Sequence, residues 1–416
     1  MHAFTVLFLI FLLAGLLIRL WLSARQVAHV KAHRNAVPAA FADSINLEQH
    51  QKAADYTVAK AALGRWDLLL STIILLAFTL GGGINLVEAG LPALFGDLSG
   101  YWQGIAVVLA VLLINTVLEL PLSAWSTFVV EERFGFNRMT PGLFIADTVK
   151  ALLLMVAIGA PLLYATLWFM QATGALWWLW VWALWMGFSL VLTWAYPTFI
   201  APLFNSFSAL EDGELKSRIE ALLDRCGFKS SGIFVMDGSR RSAHGNAYFT
   251  GVGKSKRIVF FDTLIDDLDN DQIEAVLAHE LGHFKRKHIV KRLLVSAVTT
   301  LLALALLGWL VDEPWLYSAL GIATPSNHAA LLVFLLVLPV FTFPLTPLSA
   351  RYSRKHEFEA DEFAAEQADP RALITALVTM YRENASTLTP DPLHSAFYDS
   401  HPPAPVRIEH LARLSS

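Results

Sequence analysis

The sequence predicts a mainly α-helical membrane protein, with seven transmembrane helices and one small α+β unit on the cytoplasmic side. Three observations predict it. Hydrophobic residues make up 55% of the chain and charged residues only 16%, with a mean hydropathy of +0.51. Seven apolar runs are each long enough to cross a hydrocarbon core, which takes ~20 helical residues. Lysine and arginine also alternate between loops with the regularity of the positive-inside rule. A chain of 416 residues could otherwise fold as two soluble domains, but the apolar runs exclude that arrangement.

The seven spans fall at about 4–23, 67–87, 103–128, 148–171, 175–196, 290–311 and 329–349. The first has no positive residue before its apolar core and Arg19 at its far end, so it reads as an uncleaved anchor rather than a secretory signal. Loop 24–66 carries Arg25, Lys31, Arg34, Lys52, Lys60 and Arg65, and loop 88–102 carries none. Loop 129–147 has Arg133 and Arg138; 172–174 and 312–328 have none; 197–289 and the tail are basic again. The N-terminus is therefore expected outside, and both long polar segments share the cytoplasmic face.

These spans divide the chain into four parts. Residues 1–196 hold spans one to five, 197–289 form an insertion, 290–349 hold spans six and seven, and 350–416 form a helical tail. In the insertion, Leu215, Ile219, Leu222 and Leu223 predict a helix over 208–228. Gly232–Met236 and Arg257–Phe261 read as strands, and Asn246–Thr250 as a third. Asp271, with Glu274 three residues later, predicts the start of a helix that continues past His288 into span six. The tail predicts helices over 350–367 and 371–384, then a break at His401-Pro-Pro-Ala-Pro. The Gly81–Gly83 run reads as a loose helix end, because no Lys-Ser/Thr follows it as in a phosphate loop.

Residues 279–283 read His-Glu-Leu-Gly-His. Two histidines four apart project from one helix face and can grip one metal ion, with Glu280 beside them to hold a water as general base. With 13 histidines and 17 glutamates in 416 residues, roughly 0.02 such matches arise by chance, so the motif is informative. One cysteine, Cys226, excludes an intramolecular disulfide and any cysteine-rich zinc site. A net charge of −4 points away from nucleic acid.

A catalytic zinc takes three protein ligands and leaves a fourth position for water. Ser353–Asp361 offers Glu357 as the third, with Asp361 one helical turn on to accept the second ring N–H of a ligating histidine. The alternative for Glu357 is a solvated acidic face, since Glu359, Glu362 and Glu366 are near. His288 and His356 read as membrane-surface or helix-capping histidines.

Several blocks then occur in one order: Glu131–Asn137, Ile200–Phe204, Gly238–Phe249, Lys256–Leu264, His279–His283, Ser353–Asp361 and His401-Pro-Pro. In these the chain resembles the type I CAAX prenyl protease family of integral-membrane zinc metalloproteases. The resemblance implies one Zn2+ per chain on His279, His283 and Glu357, with Glu280 as base and Asp361 orienting a histidine. It implies Asn246 and Ala247 on an edge strand that pairs with substrate, and His401 and Arg407 facing the oxyanion. By residue type alone Asn246 reads as a turn residue and His401 as a loop residue. The resemblance also implies a ring of seven helices around a water-filled chamber; Asn115 and Glu119, polar within span three, fit such an interior.

The expected partners are a peptide or protein substrate, isoprenylated or not, and membrane lipid. A quality-control protease that clips misfolded membrane proteins is the alternative function. A transporter with a regulatory zinc is disfavoured by the few intramembrane charges and the complete hydrolytic set. The end Arg413-Leu-Ser-Ser416 carries no retention signal, which favours a bacterial plasma membrane over the endoplasmic reticulum.

Overall fold

A computed structural model describes residues 2–98, 100–250 and 257–415. Lys256, in one of the matching blocks, and Gly251, which follows the expected third strand, lie outside the described residues. Among the described residues, seven helices are long and apolar enough to cross a membrane: Ala3–His33, Leu47–Phe78, Tyr101–Glu131, Pro141–Ala172, Gly174–Leu203, His288–Leu310 and Asn327–Gln367. They are spans 1 to 7. All seven expected spans are present, but most run well beyond their apolar cores. A helix of 31 residues is roughly 46 Å long at 1.5 Å per residue, against a hydrocarbon core of about 30 Å.

The excess length builds the polar part of the molecule. The end of span 1 holds Asp391 of the tail through Arg25, Nη2 to Oδ2 2.9 Å. Arg34, just after it, grips Asp55 of span 2 in a two-pronged pair. Span 2 starts at a complete capping box, Asn46 with Gln49. It ends at Phe78, short of the expected 87. Gly82 then takes a left-handed φ of 72°, and a separate apolar helix follows at Gly83–Phe95. The glycine run is thus a turn between two helices.

Spans 1, 2, 3 and 7 pack together; span 4 packs on 3, span 5 on 4 and span 6 on 5. Only 6% to 22% of the most apolar stretch of each of spans 1–6 is buried within the chain. Most of the surface of these apolar stretches is therefore left open to their surroundings. Between spans 1, 2, 3 and 7, Arg19, Ser71, Thr72 and Asn115 line a cavity of about 300 Å³; Glu119 is not among its lining residues.

The insertion begins with β1 (Phe207–Ala209) and a helix at Glu214–Arg225, in place of one helix over 208–228. Gly213 separates them. β2 (Ile233–Met236), β3 (Ala247–Thr250) and β4 (Arg257–Phe261) complete a four-stranded sheet of order β1-β2-β4-β3. β2 and β4 are parallel and the outer pairs antiparallel, which leaves β3 at an edge. Ile219, Leu222, Ile258, Phe260, Ile273 and Leu277 form a second core, separate from that of the spans. Cys226 lies buried in this core, and burial pushes its thiol pKa up.

The His-Glu-x-x-His helix runs Asn270–Lys285. Its cap is Asp269 with Gln272, not Asp271 with Glu274. Glu274 instead pairs with Arg218 and Arg225 of the preceding helix. Nor does the helix merge with span 6. It is capped at Arg286, and Lys287 takes a left-handed φ of 58° before span 6 begins at His288. No glycine or proline announces this break, so helical propensity alone missed it. Span 7 passes through a short 3-10 turn at Phe343–Leu345 and emerges as a helix over Thr346–Gln367. The tail ends in helices Pro370–Glu383, Pro392–Tyr398 and Ala404–Leu414.

Candidate metal centre

The helix Asn270–Lys285 and the helix Thr346–Gln367 lie against each other, and the close approach is at Gly282. A Cβ there would sit 2.9 Å from both the Cα and the carbonyl oxygen of Ala360. Those are backbone atoms on the facing helix, so they cannot step aside. Gly282→Ala is expected to part the two helices, costing about 1–3 kcal/mol of stability and at least about tenfold in metal affinity. Thermal unfolding in detergent and metal titration of that variant measure the two effects separately.

That contact brings Glu357 opposite the two histidines. Ligand atoms of His279, His283 and Glu357 all lie within 4.8 Å of one another. Glu357 Oε2 is 3.5 Å from His279 Nε2, and Oε1 is 3.3 Å from His283 Nε2. Glu357 is 4% exposed, and its Oε2 is buried without a hydrogen bond among the described residues. An orphaned buried carboxylate oxygen is costly. A cation held between it and the two facing ring nitrogens removes that cost, and the donor set of two nitrogens and one oxygen suits zinc.

Asp361 supports this geometry from behind. It is fully buried, and its Oδ1 lies 2.8 Å from His279 Nδ1. When the ring is neutral, this contact keeps its proton on Nδ1, and Nε2 is the nitrogen turned toward Glu357. Arg407 braces the same carboxylate, Nε to Oδ2 2.9 Å. Burial and the Arg407 charge press His279 toward its neutral form, but Asp361 and Glu357 outweigh them and carry its pKa up to about 9. The pocket therefore favours positive charge beside Glu357.

Glu280 lies on the open side. It lines a cavity of about 300 Å³ together with His279, Asn246, Ala247, His401 and Arg407. His401 is reached by solvent, with its Nε2 3.6 Å from Glu357 Oε2; the surrounding protein wall presses its pKa below the ordinary value. Arg407 is 6% exposed, with Nη1 3.8 Å from Glu357 Oε2. Ala247 opens edge strand β3, and Asn246 immediately precedes it. Asn246 accepts from the Phe261 amide, so in this antiparallel register Ala247 and Phe249 turn their peptide groups to the open edge. The Ala247 N–H is meanwhile held by Asn246 Oδ1 at 2.8 Å. All nine residues singled out in the sequence are thus gathered around one cavity and its rear wall.

The chain matches two family descriptions end to end: "CAAX prenyl protease N-terminal, five membrane helices" over residues 26–206, and "Peptidase family M48" over 209–415. CAAX prenyl protease 1 of Saccharomyces cerevisiae is 36% identical, covering 95% of this chain and 92% of that protein. The Homo sapiens homolog is 30% identical over 91% and 89%. The crystal structure of S. mikatae Ste24p superposes with a TM-score of 0.93 at 32% identity, covering 99% of both chains. The chain belongs to the CAAX prenyl protease 1 family. It is a multi-pass membrane metalloprotease.

Sequence reasoning missed one network of this M48 peptidase. The Tyr56 hydroxyl donates to Glu131 Oε1 at 2.7 Å, and Glu131 Oε2 lies 3.3 Å from His244 Nε2. His244 stacks on Phe136 and meets Asn384 Oδ1 at 3.1 Å. Asn384 Oδ1 also accepts from the Gly245 amide at 3.1 Å. Spans 2 and 3 are thereby tied to the residue just before Asn246. Glu131 and His244 lay in matching blocks and could have been flagged; Asn384 carried no signal.

Proposed function

We propose that this protease holds one zinc ion on His279, His283 and Glu357 and cuts peptide bonds near the C-terminus of prenylated substrates. The observation that carries it is the shared cavity: Glu280, His401, Arg407 and the start of an open edge strand face the same space beside the triad. When bound, zinc supplies Lewis-acid polarisation of the scissile carbonyl and makes water more acidic. The substrate backbone adds to the edge of β3 at Asn246 and Ala247, which aligns the scissile bond. The Glu280 carboxylate takes a proton from the attacking water and delivers it to the leaving amine. His401 and Nη1 of Arg407 face the developing oxyanion. Asp361 holds His279 in the required tautomer.

The lysine and arginine pattern supports a cytoplasmic position for this site. Both helices of the triad adjoin spans 6 and 7, so cleavage takes place close to the membrane boundary. An apolar anchor on the substrate then adds about 0.8 kcal/mol per buried CH₂. A farnesylated peptide is expected to show a higher kcat/KM than the unmodified peptide of the same sequence in one detergent. Equal values would instead support quality-control cleavage of unlipidated membrane proteins.

A further inference from the structure

Two residues that neither the triad nor the mechanism uses, His288 and Glu359, lie directly behind His283. In an unbroken helix a residue five positions on would point about 140° away around the axis. The left-handed turn at Lys287 swings His288 back instead. His288 is fully buried. Its Nδ1 lies 2.9 Å from His283 Nδ1, and its Nε2 lies 2.8 Å from Glu359 Oε2.

These distances assign the protons. Lys291 Nζ, 3.2 Å from Glu359 Oε2, favours the ionised carboxylate, which accepts only. The His288 Nε2 therefore donates to it. A neutral His288 then has a bare Nδ1, and that atom can only accept. His283 must be the donor, with its proton on Nδ1. Its Nε2, on the Glu357 side, is left with a free lone pair.

By distance alone His288, His356 and Glu359 could hold a second cation. Their orientation argues against it. The His356 ring stacks on His288 at 4.0 Å and 12°, so the in-plane lone pairs run parallel and do not converge. Lys291 already supplies a positive charge at Glu359. His356, itself against Tyr352 at 4.3 Å, braces the His288 ring in place.

We infer that Glu359 and His288 form a relay that locks His283 with its Nε2 toward the metal, as Asp361 does for His279. His288 is a positioning residue that touches no substrate. The inference rests on His283 being a ligand.

The test is zinc affinity of the full-length protein in detergent, measured against a competing chelator, with KM for a peptide read at saturating zinc. His288→Ala is expected to weaken zinc binding about 10–100-fold while KM stays within about twofold. His288→Asn, whose Oδ1 can replace the Nδ1 acceptor, is expected to recover most of the affinity. Wild-type affinity in His288→Ala overturns the relay. So does His288→Asn binding as weakly as the alanine variant, which would mean that ring shape matters and the acceptor does not. If His288→Ala does not fold, Glu359→Ala decides: about a tenfold loss supports the relay and no loss overturns it. His283→Ala, run alongside, separates the two levels. If it binds zinc normally, the ligand assignment fails and the relay with it; if it loses zinc, the His288 results stand alone.

Discussion

Glu280→Gln is expected to lower kcat/KM by about 10²–10⁴-fold, the usual worth of a general base, with metal content unchanged. The amide keeps the size and shape of the side chain but cannot take a proton from water. The metal should stay because Glu280 is not one of the three residues whose ligand atoms converge. It lines the cavity beside His279, on the side where Asn246 and Ala247 would hold the substrate. Peptide hydrolysis and metal analysis on one preparation read both quantities. Unchanged turnover would remove Glu280 from the mechanism, whereas loss of metal would make it a ligand or a structural group.

Glu357→Ala is expected to reduce zinc affinity by more than the 10–100-fold typical of an outer-shell change, leaving purified protein largely metal-free. His279→Ala should behave alike. Glu357 is the one carboxylate of the triad, and its buried Oε2 has no other hydrogen bond among the described residues. Its loss leaves only the two imidazoles beside Arg407, whose guanidinium then repels a cation. Metal content by mass spectrometry checks this. Full zinc occupancy in Glu357→Ala would require a different third ligand.

Much of this centre was legible along the chain. The seven spans follow from composition, because a bilayer demands internally satisfied helices of a set length. The pair His279 and His283 with Glu280 follows from helical periodicity. Asn246 and Ala247 at the start of the edge strand, and His401 and Arg407, came only through resemblance, since nothing local distinguishes them from turn and loop residues.

Capping shows where local reasoning stops. Asp271-Glu274 and Asp269-Gln272 both fit a capping box, and the structure uses the second. Glu274 is engaged by Arg218 and Arg225 from another helix, a contact some 50 residues away in sequence.

By itself, then, the sequence determined the span number, the two histidines on one face, the glutamate beside them and Asp361 one turn beyond Glu357. Each of these is a spacing within a single helix, and such spacings are set by local backbone geometry. Only the tertiary structure decided that Glu357 meets the histidines, through the missing side chain at Gly282. The same is true of the break at Lys287, which returns His288 to His283, and of the tie from Tyr56 to Gly245. Those features depend on how distant segments pack, and close packing is decided by shape complementarity between surfaces that no single helix carries.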